Sequence, residues 1–330
     1  MRDLMGAAQI AQPEPSCALI EANAEARAAL PQRAEWGTLA LILGCYAIWF
    51  GALFALAAVS QPLAVLVISA VVVLHSSLSH EALHGHPFRA RRLNEALMAL
   101  PLNLCVPYGR FRDTHLQHHQ DENLTDPYDD PESNFLAPRV WAGLPRWQQR
   151  LLRLNNTLLG RLLLGPLIGQ LCFMRSDARL IRRGEGAVLR EWILHAPGVA
   201  LVLWIVAQSS LPLWAYLVAA YIGLSVLKIR TFLEHRADLA PERRTAIVEG
   251  RGILGRLLGF LFLNNNLHVV HHLYPGVPWH HLPALYRRHR AAFLAQNDGY
   301  LLPSYASVFR SYFLRAKDPV PHPFWTAPEK

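Results

Sequence analysis

Hydrophobic runs divide the chain before any motif is considered. Residues 36–59 are apolar and nearly uncharged, long enough for a bilayer, which takes about 20 residues. Ser60-Gln61-Pro62 turns the chain, and a second apolar run, 63–78, follows. Residues 192–209 form a third run, and beyond an uncharged turn at 208–212 a fourth begins at 213. Other apolar stretches are shorter or broken. Residues 93–106 contain Pro101 and end at Pro107, which fits an interfacial or re-entrant segment. Residues 151–174 carry Arg153 and Arg161 and are interrupted by Pro166, which fits an amphipathic helix lying in the interface. Residues 253–263 are too short to cross.

Charge orients these runs. The chain of 330 residues is 52% hydrophobic, with a net charge of +8, and its only lysines are Lys228, Lys317 and Lys330. Fifteen arginines lie between 86 and 190, whereas the turns at 60–62 and 208–212 hold no Lys or Arg. Arginine-rich segments stay on the cytoplasmic side. One arrangement satisfies both facts: an all-α, four-helix transmembrane bundle with spans at 36–59, 63–80, 192–209 and 213–230 and both termini cytosolic. A cytosolic helical cap then carries the polar segments. Residues 1–35 read as a partly disordered cytosolic tail with a short helix near 17–30, and 301–330 as a cytosolic C-terminal tail. No signal peptide is expected. The basic balance suits lipid headgroups or an acidic protein, and no nucleic-acid motif is present. Four cysteines (Cys17, Cys45, Cys105, Cys172) without a C-x-x-C pair exclude a zinc ribbon, an Fe–S cluster and a disulfide framework.

Histidines break the pattern. His80 and His84, then His115, His118 and His119, then His268, His271 and His272 recur at helical spacing. Positions i, i+3 and i+4 share a helix face, so each set presents imidazoles on one side. Neutral imidazole ligates iron, copper, nickel or zinc. A lone histidine is more often a core or surface residue; three such sets are not explained that way. His86, two residues past His84, faces elsewhere. His75 suits a structural hydrogen bond, and His280 and His281, after Pro278-Trp279, suit the membrane interface.

The ordered pattern H-x3-H, H-x2-H-H, H-x2-H-H resembles the membrane fatty acid desaturase superfamily, which also includes hydroxylases and carotenoid ketolases. The resemblance covers residues 36–300, and "RFRDTHLQHHQDENLTDPYDDPES" and "NNNLHVVHHLYPGVPWHHLP" look like its bacterial branch. It implies a further ligand at the end of the fourth span, where His235 in "RTFLEHR" fits. It also implies two Fe ions on these nine histidines, O2 as co-substrate, and desaturation of a fatty acyl chain or related lipid. Hydroxylation or ketolation of a lipid, carotenoid or hydrocarbon on the same centre stays open. No flavin, nicotinamide or haem-domain motif is present, so a ferredoxin- or cytochrome-type donor with its reductase must supply electrons. The expected location is a bacterial inner membrane, with the active site cytosolic.

Metal-bound histidines usually donate their second ring N–H to a carboxylate or carbonyl. Glu81, Asp113, Asp121 and Glu234 lie near ligands in sequence, and Asn264 is placed to bond a metal-bound water or to start a helix. An unactivated methylene has no polar handle, so an anchored headgroup must fix its position. Arg110, Arg112, Arg230 and Arg236, each within five residues of a proposed ligand, are candidates for that phosphate or carboxylate; the plainer reading makes them positive-inside anchors. Two other classes compete. A bis-histidine haem carrier needs paired histidines within the spans, and a metal transporter needs polar ligands near the midplane. The spans hold only His75 and His195 beyond the box residues, and their middles are apolar.

Overall fold

The computed structural model describes residues 17–326. Helix α1 (Cys17–Ala29) matches the helix expected near 17–30, while residues 1–16, the first part of the tail expected to be partly disordered, lie outside the described residues. Then come α2 (Trp36–Gly51), a π turn at Ala52–Leu56, α3 (Ala57–Val59) and α4 (Gln61–Leu83). The cap side adds α5 (Arg91–Leu97), α6 (Tyr108–His118), α7 (Pro138–Gly143) and α8 (Arg146–Asn155). Long helices follow: α9 (Leu158–Arg182), α10 (Gly186–Ala207) and α11 (Leu213–Leu233). The remainder is α12 (Gly252–Leu261), α13 (His268–Leu273), α14 (Leu282–Gln296) and α15 (Tyr305–Tyr312). Two short strands, β1 (Ile247–Val248) and β2 (Leu301–Leu302), pair in parallel and tie the C-terminal part to the chain beyond α11.

Among the described residues, five helices are long and apolar enough to cross a membrane. Four match the expected spans; α10 begins at Gly186, six residues before the expected start, because Arg190 and Glu191 continue the helix. The fifth is α9, where the sequence suggested a segment from 151 broken at Pro166. The break falls instead at Asn156–Thr157, where the Thr157 hydroxyl accepts the Gly160 N–H (3.0 Å) and caps a new helix. Pro166 sits inside the helix. A proline removes one helical hydrogen bond, and packing against α11 carries the helix past that loss.

Past α5, the stretch expected to be interfacial or re-entrant is the segment 98–107. It has no regular structure, yet it packs among the apolar helices: Leu102 is fully buried in the cluster that includes Trp49, Val72, Val202 and Tyr216. Irregular backbone at membrane depth is tolerated only where protein groups satisfy it. Side chains from the long helices do so. Tyr46 donates to Leu97 O (2.6 Å), Tyr216 to Leu102 O (2.8 Å), His195 to Leu104 O (3.1 Å) and Gln170 to Cys105 O (2.7 Å). His75 meets the Tyr46 hydroxyl at 3.0 Å, the structural role expected of it.

Helices α4 and α11 form the tightest pair. They approach so closely at Gly223 that an added Cβ would lie 2.8 Å from Ser69 O and from Val72 Cβ. Both contacts are backbone or branch-point atoms that cannot swing away. Gly223→Leu should therefore push α4 and α11 apart and lower stability by about 1–3 kcal/mol, the usual cost of overpacking. A thermal unfolding midpoint in detergent that stays at the wild-type value would refute this.

Candidate metal centre

Four chain segments bring their histidines to one place. Helix α4 delivers His80 in its last turn and His84 at its C-cap. Helix α6 delivers His115 and His118, with His119 at its C-cap. The six-residue α13 carries His268, His271 and His272. His235 stands two residues beyond the end of α11. The nine fall into two groups: His80, His84, His115, His119 and His271 in one, and His118, His235, His268 and His272 in the other. Within each group the ligand atoms all lie within 4.8 Å of one another. The neighbours His118 and His119, and likewise His271 and His272, go to different groups, because adjacent helical residues point about 100° apart. Their ring centroids are 6.1 and 5.9 Å apart, so the two groups are contiguous.

Carboxylates and an amide hold the outer ring nitrogens. His118 Nδ1 donates to Asp130 Oδ1 (2.8 Å), His115 Nδ1 to Glu132 Oε1 (2.9 Å), and His268 Nδ1 to Asn265 Oδ1 (3.0 Å). Asp130 is itself fixed by the backbone N–H of Thr125 and of Glu132 (2.8 and 2.9 Å). The inner nitrogens face one another. His235 Nε2 lies 3.0 Å from both His118 Nε2 and His268 Nε2. His119 Nε2 lies 3.0 Å from His115 Nε2 and 3.1 Å from His271 Nε2. A ring nitrogen has either one proton or one lone pair, so each of these hubs can make only one of its two contacts a hydrogen bond. The other sets lone pair against lone pair or proton against proton. A cation accepting all the lone pairs removes the conflict, and the residues present therefore fit a metal in each group.

The protonation states of six of the nine agree with this. Burial, followed by the neighbouring imidazoles, holds His84, His119, His235, His268, His271 and His272 below the ordinary histidine range, in the neutral form that ligates metal. His118 goes the other way: burial opposes its charge, but Glu132 and the bond to Asp130 outweigh this and lift it to about 9. Burial would raise the Glu132 carboxyl, yet His115 and His118 pull it well below the usual range. The Glu132 carboxylate thus attracts positive charge to this end of the cluster.

The second-sphere candidates fare unevenly. Glu234 lies 3.6 Å from His268 Nδ1 and Glu81 lies 3.8 Å from His80 Nδ1, both beyond hydrogen-bond distance. Asn264 donates to Trp279 O (3.0 Å), whereas its neighbour Asn265 contacts both His268 and His80. Asp113 pairs with Arg112 near the surface (2.6 Å), and the Asp121 side chain lies outside the described residues. Asp130, Glu132 and Asn265 were not singled out from sequence. The first two sit in the acidic turn after the second box, 12 and 17 residues from the rings they hold. A carboxylate-rich turn beside a histidine box was the available signal.

The four arginines proposed to hold a headgroup are instead engaged within the chain. Arg110 makes a bidentate pair with buried Asp177 (3.0 and 2.9 Å). Arg112 binds Asp113 and Glu95, and Arg230 pairs with Glu234 at 2.8 Å. Arg236 donates to Arg243 O (3.0 Å) and lies over the Tyr300 ring at 4.6 Å. For Arg110 and Arg112 the partners include carboxylates 67 and 17 residues away. His86 pairs with Glu35 outside both groups, and the rings of the exposed His280 and His281 lie tilted against each other, 4.4 Å between centroids.

A family model described as fatty acid desaturase matches residues 57–303, a stretch that contains all nine histidines. No curated protein matches the chain.

Outer-sphere partners of metal-bound histidines typically contribute 10–100-fold in metal affinity. Asp130→Asn and Glu132→Gln should each weaken metal retention by about that factor while leaving the helical content unchanged. Chelator competition followed by elemental analysis, with circular dichroism as the control, measures both. Retention equal to wild type in both variants would show that these carboxylates do not support the rings.

Proposed function

Since the chain belongs to the fatty acid desaturase family and is an integral membrane protein of oxidoreductase type, we propose that it holds two iron ions and desaturates a fatty acyl chain or related lipid with O2. The division of nine histidines into two adjacent groups is the observation that carries this reading. His80, His84, His115, His119 and His271 would hold one iron, and His118, His235, His268 and His272 the other. Bound there, the irons supply the oxygen-activating redox chemistry that attack on an unactivated C–H bond requires. Zinc, though compatible with imidazole, has no redox chemistry. Family membership supports iron. Asp130, Glu132 and Asn265 keep protons on Nδ1 and so leave the Nε2 lone pairs to the metals.

Electrons would come from a separate ferredoxin- or cytochrome-type protein, for which the basic cap offers electrostatic steering. The haem-carrier alternative is disfavoured, since axial imidazoles need opposite faces of a macrocycle and these converge on shared nitrogens. For topology we retain four spans with the cap and both termini cytosolic. Both ends of α9 support its lying along the interface. Near its start Leu159 N–H donates to Phe313 O and Arg161 to Asn134; near its end Asp177 binds Arg110 of the histidine helix α6.

Two measurements test this reading. Purified protein should contain two irons per chain, and lipids from cells with the gene should show a mass loss of two hydrogens relative to cells without it. Alanine at any box histidine should abolish turnover. Stoichiometric zinc with activity intact would overturn the iron assignment, and a gain of one oxygen would replace desaturation by hydroxylation.

Tags near residues 60 and 210 should report from the side of the membrane opposite the termini. A tag at 210 on the same side as the termini breaks the four-span arrangement.

A further inference from the structure

His235 is the one proposed ligand that belongs to no box and to no helix. The rings of His118 and His268 are oriented through Nδ1 by Asp130 and Asn265. His235 Nδ1 is buried and has no hydrogen-bond partner among the described residues. Its ring must therefore be placed through the main chain.

The main chain there is held unusually well. A helix leaves its last carbonyls without intrahelical partners. At the end of α11 three successive carbonyls find partners from later in the chain. Leu233 O accepts from the Tyr300 hydroxyl (3.1 Å), Glu234 O from Ala246 N–H (2.9 Å), and His235 O from Lys317 Nζ (2.7 Å). Lys317 is largely buried, pairs with Asp318 at 2.5 Å and donates to the Tyr300 hydroxyl at 3.2 Å. Its own backbone N–H donates to Asn156 O (3.1 Å), fastening it to the start of α9. A basic side chain capping the last carbonyls of a helix is the favourable pairing there.

We propose that Lys317, supported by Tyr300, is a positioning residue for His235, so that the C-terminal segment completes the four-histidine group specifically. The proposal rests on the two-iron reading above. The five-histidine group draws its ligands from the ends of α4 and α6 and from α13, none of which contacts Lys317 through a hydrogen bond. Loss of the clamp should thus reach one metal and spare the other.

The test is iron content and chelator resistance of the full chain as wild type, Lys317→Met, Lys317→Arg and Tyr300→Phe, with thermal unfolding of each in the metal-free form. Lys317→Met should fall from two irons per chain to about one, with the retained iron as chelator-resistant as in wild type, and Tyr300→Phe should release one iron about 10-fold faster. Lys317→Arg, which keeps a charged donor, should hold close to two. Two irons in Lys317→Met with wild-type resistance would overturn the proposal. So would equal loss of both irons together with a lower metal-free unfolding temperature, which marks a merely structural role. If Lys317→Met does not accumulate, Tyr300→Phe decides by the same criteria. Wild-type protein holding one iron would end the two-iron reading and this proposal with it, whereas two irons in wild type and in Lys317→Met end this proposal alone.

Discussion

His235 Nε2 stands 3.0 Å from the Nε2 atoms of two other histidines, and His119 Nε2 is placed in the same way between His115 and His271. One nitrogen cannot hydrogen-bond in two directions within its ring plane. An unmade bond of this kind, buried, costs about 1–3 kcal/mol. The surrounding structure keeps the rings from relaxing away. Asp130, Glu132 and Asn265 grip three of them from behind, burial keeps six of them neutral, and the ends of α4 and α6 are packed into the cap. The fold maintains electrostatic frustration that a bound cation relieves, which is the usual logic of a preorganised site.

The membrane half explains how that frustration is held rigid. Helices α4 and α11 touch backbone to side chain at Gly223, and each leads into a proposed ligand, His84 at the C-cap of α4 and His235 two residues past α11. Their separation at the histidine level is therefore set by close packing inside the bilayer. The irregular segment 98–107 fills the space between these helices and α10, then turns into α6, which carries the second box back to the cap. Arg110–Asp177 and Arg112–Glu95 lock α6 to α9 and α5. Breaking the buried Arg110–Asp177 pair by removing one partner would leave an uncompensated charge and cost about 3–5 kcal/mol. These arginines thus bear on the site by holding the helix that carries the middle box.

The two groups differ in how they are supported. Three helices, α4, α6 and α13, supply the five-histidine group, so regular backbone places its ligands. The four-histidine group includes His235, whose backbone is pinned by β-type pairing to Thr245 and by Lys317 from a far later segment. It also includes both rings bound to outer-sphere groups within hydrogen-bond distance on that side, His118 and His268. An asymmetry of this kind allows the two positions to differ in affinity and in ligand field although every proposed ligand is an imidazole.

Local periodicity carried much of the molecule. Apolar runs of spanning length, arginine-free turns between them and histidines at i, i+3 and i+4 are all patterns within one or two helical turns, where side-chain direction follows directly from sequence spacing. The all-α membrane fold and the shared faces of the boxes are legible for that reason. What the tertiary structure decided are the pairings across long loops. Sequence points His118 and His119 in different directions but cannot say which histidines each one joins, since that depends on where His235 and His271 arrive from elsewhere in the chain. Nor could it choose Asp130 over Asp113, or give Arg110 to Asp177, 67 residues away. Nor does sequence say that α9 runs through Pro166, because a proline's effect depends on the helix packed beside it. Direction is a property of the local chain; partnership is a property of how the chain closes on itself.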